Sequence, residues 1–392
     1  MNFIHQTLDD LRQSGLLREM RQVDGPQGPT IRIGGRDLVC LCSNNYLSLA
    51  SHPELAEAAA QAARDLGCGS GASRLVSGTM AIHAELEAAI ARFKHRQAAV
   101  IFPTGYMANV GAISALVSRD DAVIVDKLNH ASIIDGCRLS GAKLLVYPHC
   151  DPAKLDRTLQ NASRYRRRLV ITDSVFSMDG DVAPLPDITS VCARHDAMLM
   201  IDEAHATGVL GPTGRGTEEY FGMLGDPRYA GIIVMGTLSK AIGSIGGFVA
   251  GSRELIDYLC NLARSFIYTT ALPPPACAAS IAAIRLIERD HRPLADLRAN
   301  VELLNGLLRD AKLIELVGNA GRVTPIFPIR IGDVSRAMNV SLRLFDAGYL
   351  CPAIRPPTVP EGTSRLRVSL QAGHTEVQLR GFVQALRQAL QG

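Results

Sequence analysis

A small set of lysine, aspartate and histidine side chains follows apolar segments that have the length and composition of buried strands. Asp202 comes directly after AMLMI, and His205 follows it three residues later within IDEAHATG. Lys240 comes after GIIVMGTL and opens the glycine-rich loop SKAIGSIGG. Open parallel sheets bind ligands beyond the carboxyl ends of their strands, so these side chains are candidates for one site. A lone aspartate there often only caps a turn, but the nearby His205 indicates a packed polar site.

The chain has only six lysines, which narrows the search for a reactive amine. Three are predicted on polar helix faces and one before a strand: Lys94, Lys154 and Lys312, and Lys143. Lys127, in DKLNH, is the main competitor because it also follows a strand, but no glycine-rich loop accompanies it. The glycines after Lys240 predict a backbone that approaches a ligand closely. We therefore favour Lys240 as the reactive lysine.

These residue types suit a cofactor with an aldehyde, a pyridine ring and a phosphate, which is pyridoxal 5'-phosphate (PLP). The lysine must have a lowered pKa so that its amine is neutral and nucleophilic. The ring stores negative charge only while its nitrogen is protonated, and Asp202 would stabilise that proton by a charge-assisted hydrogen bond. His130, in LNHAS, is suited to stack on the ring. Gly105 and Tyr106 in FPTGYMAN would offer backbone N–H groups to the phosphate, with Thr237 adding a hydroxyl.

Short apolar runs alternate with helix-like segments through the middle of the chain. The predicted strands are 98–102, 122–125, 144–147, 168–172, 197–201 and 231–235. Such a pattern is typical of an α/β fold with a mostly parallel sheet between layers of helices. Later, a helix over 293–312, the strands TPIFPIRI and SRLRVSL, and a closing helix predict a smaller α+β domain. We predict an N-terminal arm (1–48), a large domain (49–285) and a small C-terminal domain (286–392).

The composition argues against several classes of protein. The 392 residues are 47% hydrophobic and 20% charged with a net charge of +3, which indicates a globular chain without a nucleic-acid partner. No apolar run reaches the roughly 18 residues of a membrane span, and the first residues do not resemble a signal peptide. Nine irregularly spaced cysteines without a CxxC pair favour a reducing cytoplasm and argue against a metal site. The missing GxxxxGK[ST] loop counts against nucleotide hydrolysis.

Eight motifs spread along the chain repeat the order and spacing of a known family. They are NNYLSL, GSGASRLVSGT, GYMAN, LNHASIIDG, VFSMDGDVAPL, IDEAHATGVLGPTGRG, TLSKAIGSIGG and FIYTTALPP. These motifs resemble the α-oxoamine synthases, which are PLP enzymes of the transferase fold type I. The resemblance covers essentially the whole chain. It implies a homodimer with active sites at the subunit interface.

The resemblance implies a role for each matching position. Lys240 matches the lysine that bonds to the cofactor, Asp202 the partner of its pyridine nitrogen, and His205 the partner of its phenolic oxygen. His130 matches the histidine that stacks on the ring and contacts substrate. Arg367, in RLRVS, matches the arginine that binds the carboxylate of the amino acid. The other matches are cofactor contacts at Ser177, Thr237, Gly105 and Tyr106, and substrate contacts at Arg18, Asn44 and Thr358.

The C-terminal string AIRPPTVPEGTSRLRVSL is most similar to the biotin-biosynthesis branch of this family. That branch implies a decarboxylative Claisen condensation of L-alanine with a pimeloyl thioester, carried by CoA or acyl carrier protein. Pro356 and Pro357 predict an extended strand that presents Thr358 to the ligand. Tyr106 stands where phenylalanine is common in this branch, and GASRLVSG is shared with other branches. The glycine-rich motif therefore identifies the family but not the acyl substrate.

Other functions remain open at this point. Within the family, the chain could be a 2-amino-3-ketobutyrate ligase (glycine C-acetyltransferase) using glycine and acetyl-CoA, or a synthase of longer amino ketones. A PLP aminotransferase shares the fold and the lysine, but it would turn over without a thioester. An inactive scaffold subunit is expected to lack the lysine, so Lys240 argues against it. His83, in TMAIHAELE, has no assigned role.

Overall fold

The computed structural model describes residues 2–18, 20–318 and 322–391. Its β-strands in chain order are β1 (Thr30–Ile33), β2 (Arg36–Cys40), β3 (Ala98–Phe102), β4 (Ala122–Asp126), β5 (Lys143–Tyr147), β6 (Arg168–Asp173), β7 (Met198–Asp202), β8 (Ile233–Thr237), β9 (Gly247–Gly251), β10 (Ile326–Gly332), β11 (Tyr349–Leu350), β12 (Ala353–Ile354) and β13 (Ser364–Ser369). Its α-helices are α1 (Asn2–Gln13), α2 (Pro53–Leu66), α3 (Ala81–Phe93), α4 (Gly105–Leu116), α5 (Ala131–Ser140), α6 (Pro152–Asn161), α7 (Leu185–Arg194), α8 (Thr217–Tyr220), α9 (Arg253–Leu262), α10 (Arg264–Ile267), α11 (Pro274–Arg289), α12 (Arg292–Asp310), α13 (Val334–Asp346) and α14 (Glu376–Gln391). Among the described residues, we find no helix long and apolar enough to cross a lipid bilayer.

The chain divides into two compact units. Unit 1 contains Met1–Asn44, Met178–Gly180 and Ala295–Gly392, and unit 2 contains Asn45–Ser177 and Asp181–Leu294. The predicted N-terminal arm therefore belongs mostly to the same unit as the predicted small domain. The reason is a backbone pairing, because β2 pairs antiparallel with β1 and parallel with β11. Both ends of the chain thus contribute to one sheet.

Unit 2 is built on a seven-stranded sheet of order β3-β9-β8-β7-β6-β4-β5. The strands β8, β7, β6, β4 and β5 pair in parallel, whereas β9 is antiparallel to β3 and β8. The prediction of an α/β fold with a mostly parallel sheet is confirmed. All residues of β3, β4, β8 and β9 are buried, which explains the continuous apolar runs. Strand β9 was not predicted, because the two glycines in GFVAG weaken the strand pattern.

Helices of unit 2 begin soon after the strands because the sequence supplies residues that cap them. The Thr104 hydroxyl accepts a hydrogen bond from the Met107 N–H at 3.1 Å and caps α4. The Asp151 carboxylate accepts one from the Lys154 N–H at 2.9 Å and caps α6. Such caps are each worth about 1 kcal/mol. Helix α4 therefore starts at the carboxyl end of β3, where its first residues face the same sheet edge as the ends of the parallel strands.

The core of unit 2 joins this sheet to helices α4, α5, α9 and α10. Its fully buried members include Phe102, Ile113, Ile133, Met200 and Val249. Each such side chain contributes about 1.5 to 3 kcal/mol by leaving water. This packing holds the helix starts and strand ends of the sheet edge in fixed positions.

Unit 1 contains two three-stranded sheets, β1-β2-β11 and β10-β13-β12. Strand β13 is buried along its whole length and pairs antiparallel with β10 and β12. The prediction that Pro356 and Pro357 extend a strand is wrong. Strand β12 ends at Ile354, and the two prolines lie in a turn, joined by a cis peptide bond. Proline has no N–H to continue the hydrogen-bond ladder.

Candidate active site

A cavity of about 200 Å³ lies in unit 2 at the carboxyl ends of the parallel strands. It is lined by Thr104, Gly105, Tyr106, Asn109, His130, Ser132, Asp173, Val175, Asp202, Ala204, His205, Met235, Thr237, Ser239 and Lys240. The structure thus brings together every predicted catalytic and cofactor-binding residue except Ser177. That serine is half-buried and lies outside this lining. The cavity lies at the carboxyl ends of the parallel strands, which is where the sequence predicts a ligand site.

Asp202 is the last residue of β7 and is 5% exposed. Its Oδ2 accepts a hydrogen bond from Asn109 Nδ2 at 2.8 Å, and its Oδ1 accepts one from the Ala204 N–H at 2.9 Å. Asp173 ends β6 and is the register partner of Asp202 on the neighbouring strand. Burial raises the pKa of Asp173 well above its usual value, and the charge of Asp202 raises it further. Burial thus favours the protonated form of Asp173, and Asp202 is the carboxylate of the pair that lines the cavity with two hydrogen-bond donors already oriented on it.

His205 is oriented by a buried tyrosine. The hydroxyl of Tyr46 is 2.7 Å from His205 Nδ1, and both side chains are buried. A hydrogen bond at one ring nitrogen sets the orientation and tautomer of a histidine. Sequence reasoning missed this role, although Tyr46 lies inside NNYLSL, one of the motifs that identified the family.

His130 lies at the start of α5, where its ring caps the helix. Its Nδ1 is 2.8 Å from the Ser132 hydroxyl and accepts the Ser132 N–H at 3.2 Å. Its own backbone N–H donates to Asp173 Oδ1 at 3.3 Å. Loss of hydration lowers the pKa of His130, the charge of Asp202 opposes this, and the charge of Lys240 adds to the lowering. The neutral imidazole is therefore favoured.

The start of α4 forms a cradle with little room for side chains. A Cβ on Gly105 would lie 3.2 Å from the Met235 methyl and 3.3 Å from Thr237 Cβ. A Cβ on Gly247 would lie 2.6 Å from the Thr104 carbonyl oxygen. The first N–H groups of a helix have no partner within the helix and favour anions such as phosphate. Glycine at these positions lets the backbone approach such a group directly.

The hydroxyl of Tyr106, which the phenylalanine common at this position would lack, makes a hydrogen bond in this structure. This hydroxyl donates a hydrogen bond to Asp135 Oδ2 at 2.9 Å, and the bond raises the pKa of Tyr106. Asp135 belongs to α5, so the hydrogen bond joins the first turn of α4 to α5. The substitution therefore adds a contact between the two helices that start at the cavity.

Lys127 and Lys94 lie outside the cavity that Lys240 lines. Lys240 is half-buried in the cavity lining, whereas Lys127 is exposed and outside that lining. The prediction that Lys94 lies on a polar helix face is wrong. Its side chain is buried, and its Nζ is 3.0 Å from the buried Glu203 Oε2. A buried carboxylate needs a cationic partner, and Lys94 supplies it.

Four of the predicted substrate-binding residues lie in unit 1, where they form the hydrogen-bonded pairs Arg367–Asn44 and Arg18–Thr358. Arg367 on β13 is 7% exposed, and its Nη1 donates to Asn44 Oδ1 at 3.1 Å and to the Ser369 hydroxyl at 2.8 Å. Arg18 Nη2 donates to the Thr358 hydroxyl at 3.2 Å. The Arg18–Thr358 and Arg367–Asn44 hydrogen bonds each join residues that are more than three hundred positions apart. The predicted substrate residues are thus paired within the unit to which they belong.

Unit 1 has its own cavity, of about 590 Å³, around the Arg18–Thr358 pair. Its walls are mainly apolar, with Ile33, Met338 and Ile354 among them. Arg21 and Arg355 also line this cavity, so with Arg18 it contains three cationic side chains. A cavity of this kind suits a chain that is apolar along its length and anionic at one end.

Two histidines outside the cavity have structural roles. His83 is buried, accepts the Met80 N–H at 2.9 Å and contacts the Leu272 carbonyl oxygen at 2.7 Å. His149 lies between two carboxylates, with Nδ1 2.9 Å from Asp126 Oδ1 and Nε2 2.5 Å from Asp181 Oδ2. Loss of hydration lowers the pKa of His149, but these hydrogen bonds outweigh it and raise the pKa to about 12.

The side chains around His149 include three of the types that bind metal ions, and they lie close together. Side-chain atoms of Asp126, His149 and Cys150 lie within 4.8 Å of one another. Both nitrogens of His149 already bond to carboxylates, so an imidazolium accounts for this arrangement. We therefore treat it as an ion pair that joins the end of β4 to the segment after β6.

The residues around the unit 2 cavity fit PLP. They provide an amine, a carboxylate, two imidazoles and the N-terminus of a 12-residue helix. These groups match the aldehyde, the pyridine nitrogen, the phenolic oxygen and ring face, and the phosphate of the cofactor. Asn109 Oδ1 is buried at the cavity without a hydrogen-bond partner among the described residues. Such an atom is typical of a polar site that a ligand completes.

Comparisons with known proteins agree with this fit. The family model for aminotransferase class I and II matches residues 36–386. The 8-amino-7-oxononanoate synthase of Anaeromyxobacter dehalogenans is 48% identical over 391 residues, which cover 100% of this chain and 96% of that protein. A solved structure of SPT with PLP is 32% identical with a TM-score of 0.92, covering 98% of this chain and 96% of the other. A solved 8-amino-7-oxononanoate synthase from Francisella tularensis is 28% identical with a TM-score of 0.77, covering 90% and 98%.

Proposed function

Because the chain belongs to the aminotransferase class I and II family, we propose that it is a PLP-dependent acyltransferase of biotin biosynthesis. It condenses L-alanine with a pimeloyl thioester, of CoA or acyl carrier protein, and releases carbon dioxide and 8-amino-7-oxononanoate. The observation that carries this proposal is the 48% identity to an 8-amino-7-oxononanoate synthase over the full length of the chain. The cavity of unit 2 supplies the groups that PLP chemistry requires.

PLP is the cofactor, and when bound it supplies an electron sink that stabilises a carbanion next to the amino group of the substrate. We propose that Lys240 holds it by a covalent bond, that Asp202 keeps a proton on its pyridine nitrogen, and that His205 bonds its phenolic oxygen. His130 packs against the ring. We assign Gly105, Tyr106 and Thr237 to its phosphate, and we keep Ser177, which lies outside the cavity lining, as a further cofactor contact implied by the family resemblance.

The side chains of this protein then divide the work on the substrates. Once the amino acid has replaced it, Lys240 Nζ accepts the α-proton of alanine and later returns a proton to the product. Arg367 binds the carboxylate of the amino acid, and its Nη1 is held in place by Asn44 and Ser369. Arg18, Asn44 and Thr358 contact the substrates. Rotation of the Arg367 side chain is restricted by these bonds, which lowers the entropy cost of binding.

We also propose that the protein is a homodimer with active sites at the subunit interface. The segments around Ser73 and Thr270 are paired by a backbone bridge. They carry Leu75, Val76 and Tyr268, which are 56%, 81% and 71% exposed. Apolar residues exposed together often mark a surface that binds another protein.

A reducing cytoplasmic location is the last part of the proposal. All nine cysteines are free thiols. The sulfur atoms of Cys40 and Cys42 are 3.9 Å apart without a disulfide between them. Cysteines at irregular spacing without a CxxC pair are typical of proteins of a reducing compartment.

The deciding experiment measures thiol release by the purified holoenzyme from pimeloyl-CoA and from acetyl-CoA, each with L-alanine and with glycine. Burial of a methylene is worth about 0.8 kcal/mol, so the four additional apolar chain carbons of a pimeloyl group over an acetyl group contribute up to roughly 3 kcal/mol. We expect kcat/KM to be highest for pimeloyl-CoA with L-alanine, on the order of a hundredfold above the acetyl-CoA reaction.

The alternatives predict different outcomes of the same assay. Preference for acetyl-CoA with glycine would replace the biotin assignment by the glycine C-acetyltransferase reaction. Turnover of the amino acid without any thioester would instead indicate an aminotransferase. Parallel reactions with pimeloyl-loaded acyl carrier protein identify the carrier, since the higher kcat/KM marks the carrier that the protein prefers.

A further inference from the structure

The side-chain amide NH2 of Asn109 links Asp202 to Ser132, which in turn contacts His130. In the proposed function, Asp202 bonds the pyridine nitrogen of the cofactor and His130 packs on the face of its ring. Asn109 belongs to α4 and is 1% exposed. Its Nδ2 donates to Asp202 Oδ2 at 2.8 Å and to the Ser132 hydroxyl at 2.9 Å. Both amide hydrogens are therefore used. The reversed amide would place an oxygen against the Asp202 carboxylate, so the orientation of the amide is determined by its partners.

Ser132 transmits this constraint to His130. The Ser132 N–H is 3.2 Å from His130 Nδ1, and because a backbone N–H can only donate, Nδ1 is an acceptor and carries no proton. The Ser132 hydroxyl lies 2.8 Å from the same nitrogen and already accepts the hydrogen bond from Asn109. Its own proton is therefore directed to Nδ1. A neutral imidazole with an unprotonated Nδ1 carries its proton on Nε2.

The surroundings of His130 support the neutral form. Loss of hydration lowers its pKa first, and the charge of Lys240 lowers it further. Asp202 and Asp135 act in the opposite direction. The fourth titratable neighbour, Asp173, accepts the backbone N–H of His130 at 3.3 Å and favours its own protonated, neutral form because it is buried. The lowered pKa favours a neutral ring, and the Ser132 N–H at Nδ1 favours the tautomer with the proton on Nε2.

We propose that Asn109 and Ser132 are positioning residues that hold His130 in the Nε2–H tautomer, so that His130 acts on the substrate as a hydrogen-bond donor and not as a base. The identity of the acceptor rests on the proposed function. It is a carboxylate oxygen of the amino acid or the carbonyl oxygen of the thioester, which gains negative charge as the new carbon–carbon bond forms. The proton stays on Nε2 throughout. The same amide orients Asp202, so one residue aligns both groups.

The test is nuclear magnetic resonance of protein labelled with 15N-histidine, with and without PLP. Long-range 1H–15N spectra report which ring nitrogen carries the proton, and His130→Gln identifies the signals of His130. We expect a protonated Nε2 and an unprotonated Nδ1 in the wild type. Ser132→Ala keeps the backbone donor but loses the hydroxyl. It should lower the ratio of the Nε2–H to the Nδ1–H tautomer about fivefold, which corresponds to about 1 kcal/mol for one hydrogen bond.

Asn109→Ala and a control variant separate this role from general damage to the fold. Asn109→Ala should shift the tautomer ratio in the same direction as Ser132→Ala and also raise the dissociation constant of PLP, because Asp202 loses a donor. Ser114→Ala is the matched control, since Ser114 also lies on α4 but its hydroxyl donates to the Val110 carbonyl oxygen. It should change neither quantity.

The outcomes that overturn the inference do not depend on any substrate. A proton on Nδ1 in the wild type, or an unchanged tautomer ratio in Ser132→Ala, would each refute it. Because the wild-type spectrum is decisive by itself, a variant that fails to fold does not prevent the test. Failure of the thiol-release assay would refute the proposed function while leaving the tautomer result unaffected.

Discussion

At the scale of single residues, the cavity of unit 2 depends on charges that the fold places at neighbouring strand ends. Asp202 is the last residue of β7 and Lys240 lies three residues after the end of β8, and these two strands pair in parallel. The amine and the carboxylate thus come from two different strand ends. Substituting Lys240 tests the covalent bond to the cofactor, and substituting Asp202 tests the bond to its pyridine nitrogen.

Lys240→Ala is expected to remove the covalent link to PLP while leaving the fold intact. The wild-type protein should gain one cofactor mass after borohydride reduction, and the variant should not. Lys127→Ala is the control and should still gain this mass, because Lys127 is exposed outside the cavity. Mass spectrometry of the reduced proteins gives the answer, and a reducible adduct on the Lys240→Ala protein would transfer the role to Lys127.

Asp202→Asn keeps the shape of the side chain but lacks the charge that holds a proton on the pyridine nitrogen. We expect turnover to fall at least about a hundredfold, which is roughly 2.7 kcal/mol of transition-state stabilisation. PLP should still bind through its phosphate. Steady-state kinetics and a titration with PLP measure the two effects, and near-normal turnover would remove Asp202 from the reaction.

Arg367→Ala should weaken the binding of the amino acid far more than that of the thioester. Loss of a hydrogen-bonded charge pair costs about 1.5 to 3 kcal/mol, so the apparent KM for L-alanine should rise about 10- to 150-fold. Arg380→Ala, an exposed arginine of α14 paired with Glu376, is the control and should change neither KM. Equal weakening of both substrates by Arg367→Ala would indicate a folding defect.

At the scale of secondary structure elements, His149 connects the end of β4 to the segment that follows β6. Its imidazolium bonds to Asp126, which is buried, and to Asp181. Asp126 also accepts the N–H groups of Leu128 and Cys150 and so orders the loop that leads to His130. Removing the cation would leave two carboxylates facing each other, which is destabilising.

His149→Asn is expected to lower the free energy of unfolding by about 2 to 4 kcal/mol near neutral pH. The pKa of His149 rises from 6.5 to about 12 on folding, so its contribution is complete below about pH 6.5 and decreases as the pH rises toward 12. The difference between wild type and variant should therefore be larger at about pH 6 than at about pH 9. Urea unfolding at both values measures it.

The matched control for this prediction is His291→Asn, because His291 is exposed. It should change the free energy of unfolding by less than about 0.5 kcal/mol at either pH. A difference for His149→Asn that is constant between the two pH values would contradict an imidazolium at this position.

At the scale of the whole molecule, the proposed homodimer can be tested through one exposed valine. Val76→Asp places a charge in the exposed apolar segment beside Leu75, and a buried unpaired charge is costly at an interface. Light scattering after size-exclusion chromatography should give twice 42.1 kDa for the wild type and a larger monomer fraction for the variant. Val377→Asp is the control, since Val377 on α14 is 80% exposed and Val76 is 81% exposed. Equal behaviour of the two variants would contradict the proposed interface.

The amino-acid sequence by itself determined the residue types at the strand ends, and through the motifs around them the family and the cofactor; Lys240 as the reacting lysine stays a prediction. Apolar runs and glycine-rich loops depend on local chemistry, so they can be recognised without coordinates. The six predicted strands of the large sheet, β3 to β8, lie within about two residues of their observed bounds.

Only the tertiary structure decided which polar groups bond to one another. Asn109 and Asp202 are 93 positions apart, and Tyr46 and His205 are 159 apart, so no local pattern reveals these hydrogen bonds. Lys94 was misplaced for the same reason, because its burial depends on Glu203 in a distant strand-to-helix connection. A hydrogen bond requires its two atoms within about 3 Å, and that distance is set by how strands and helices pack.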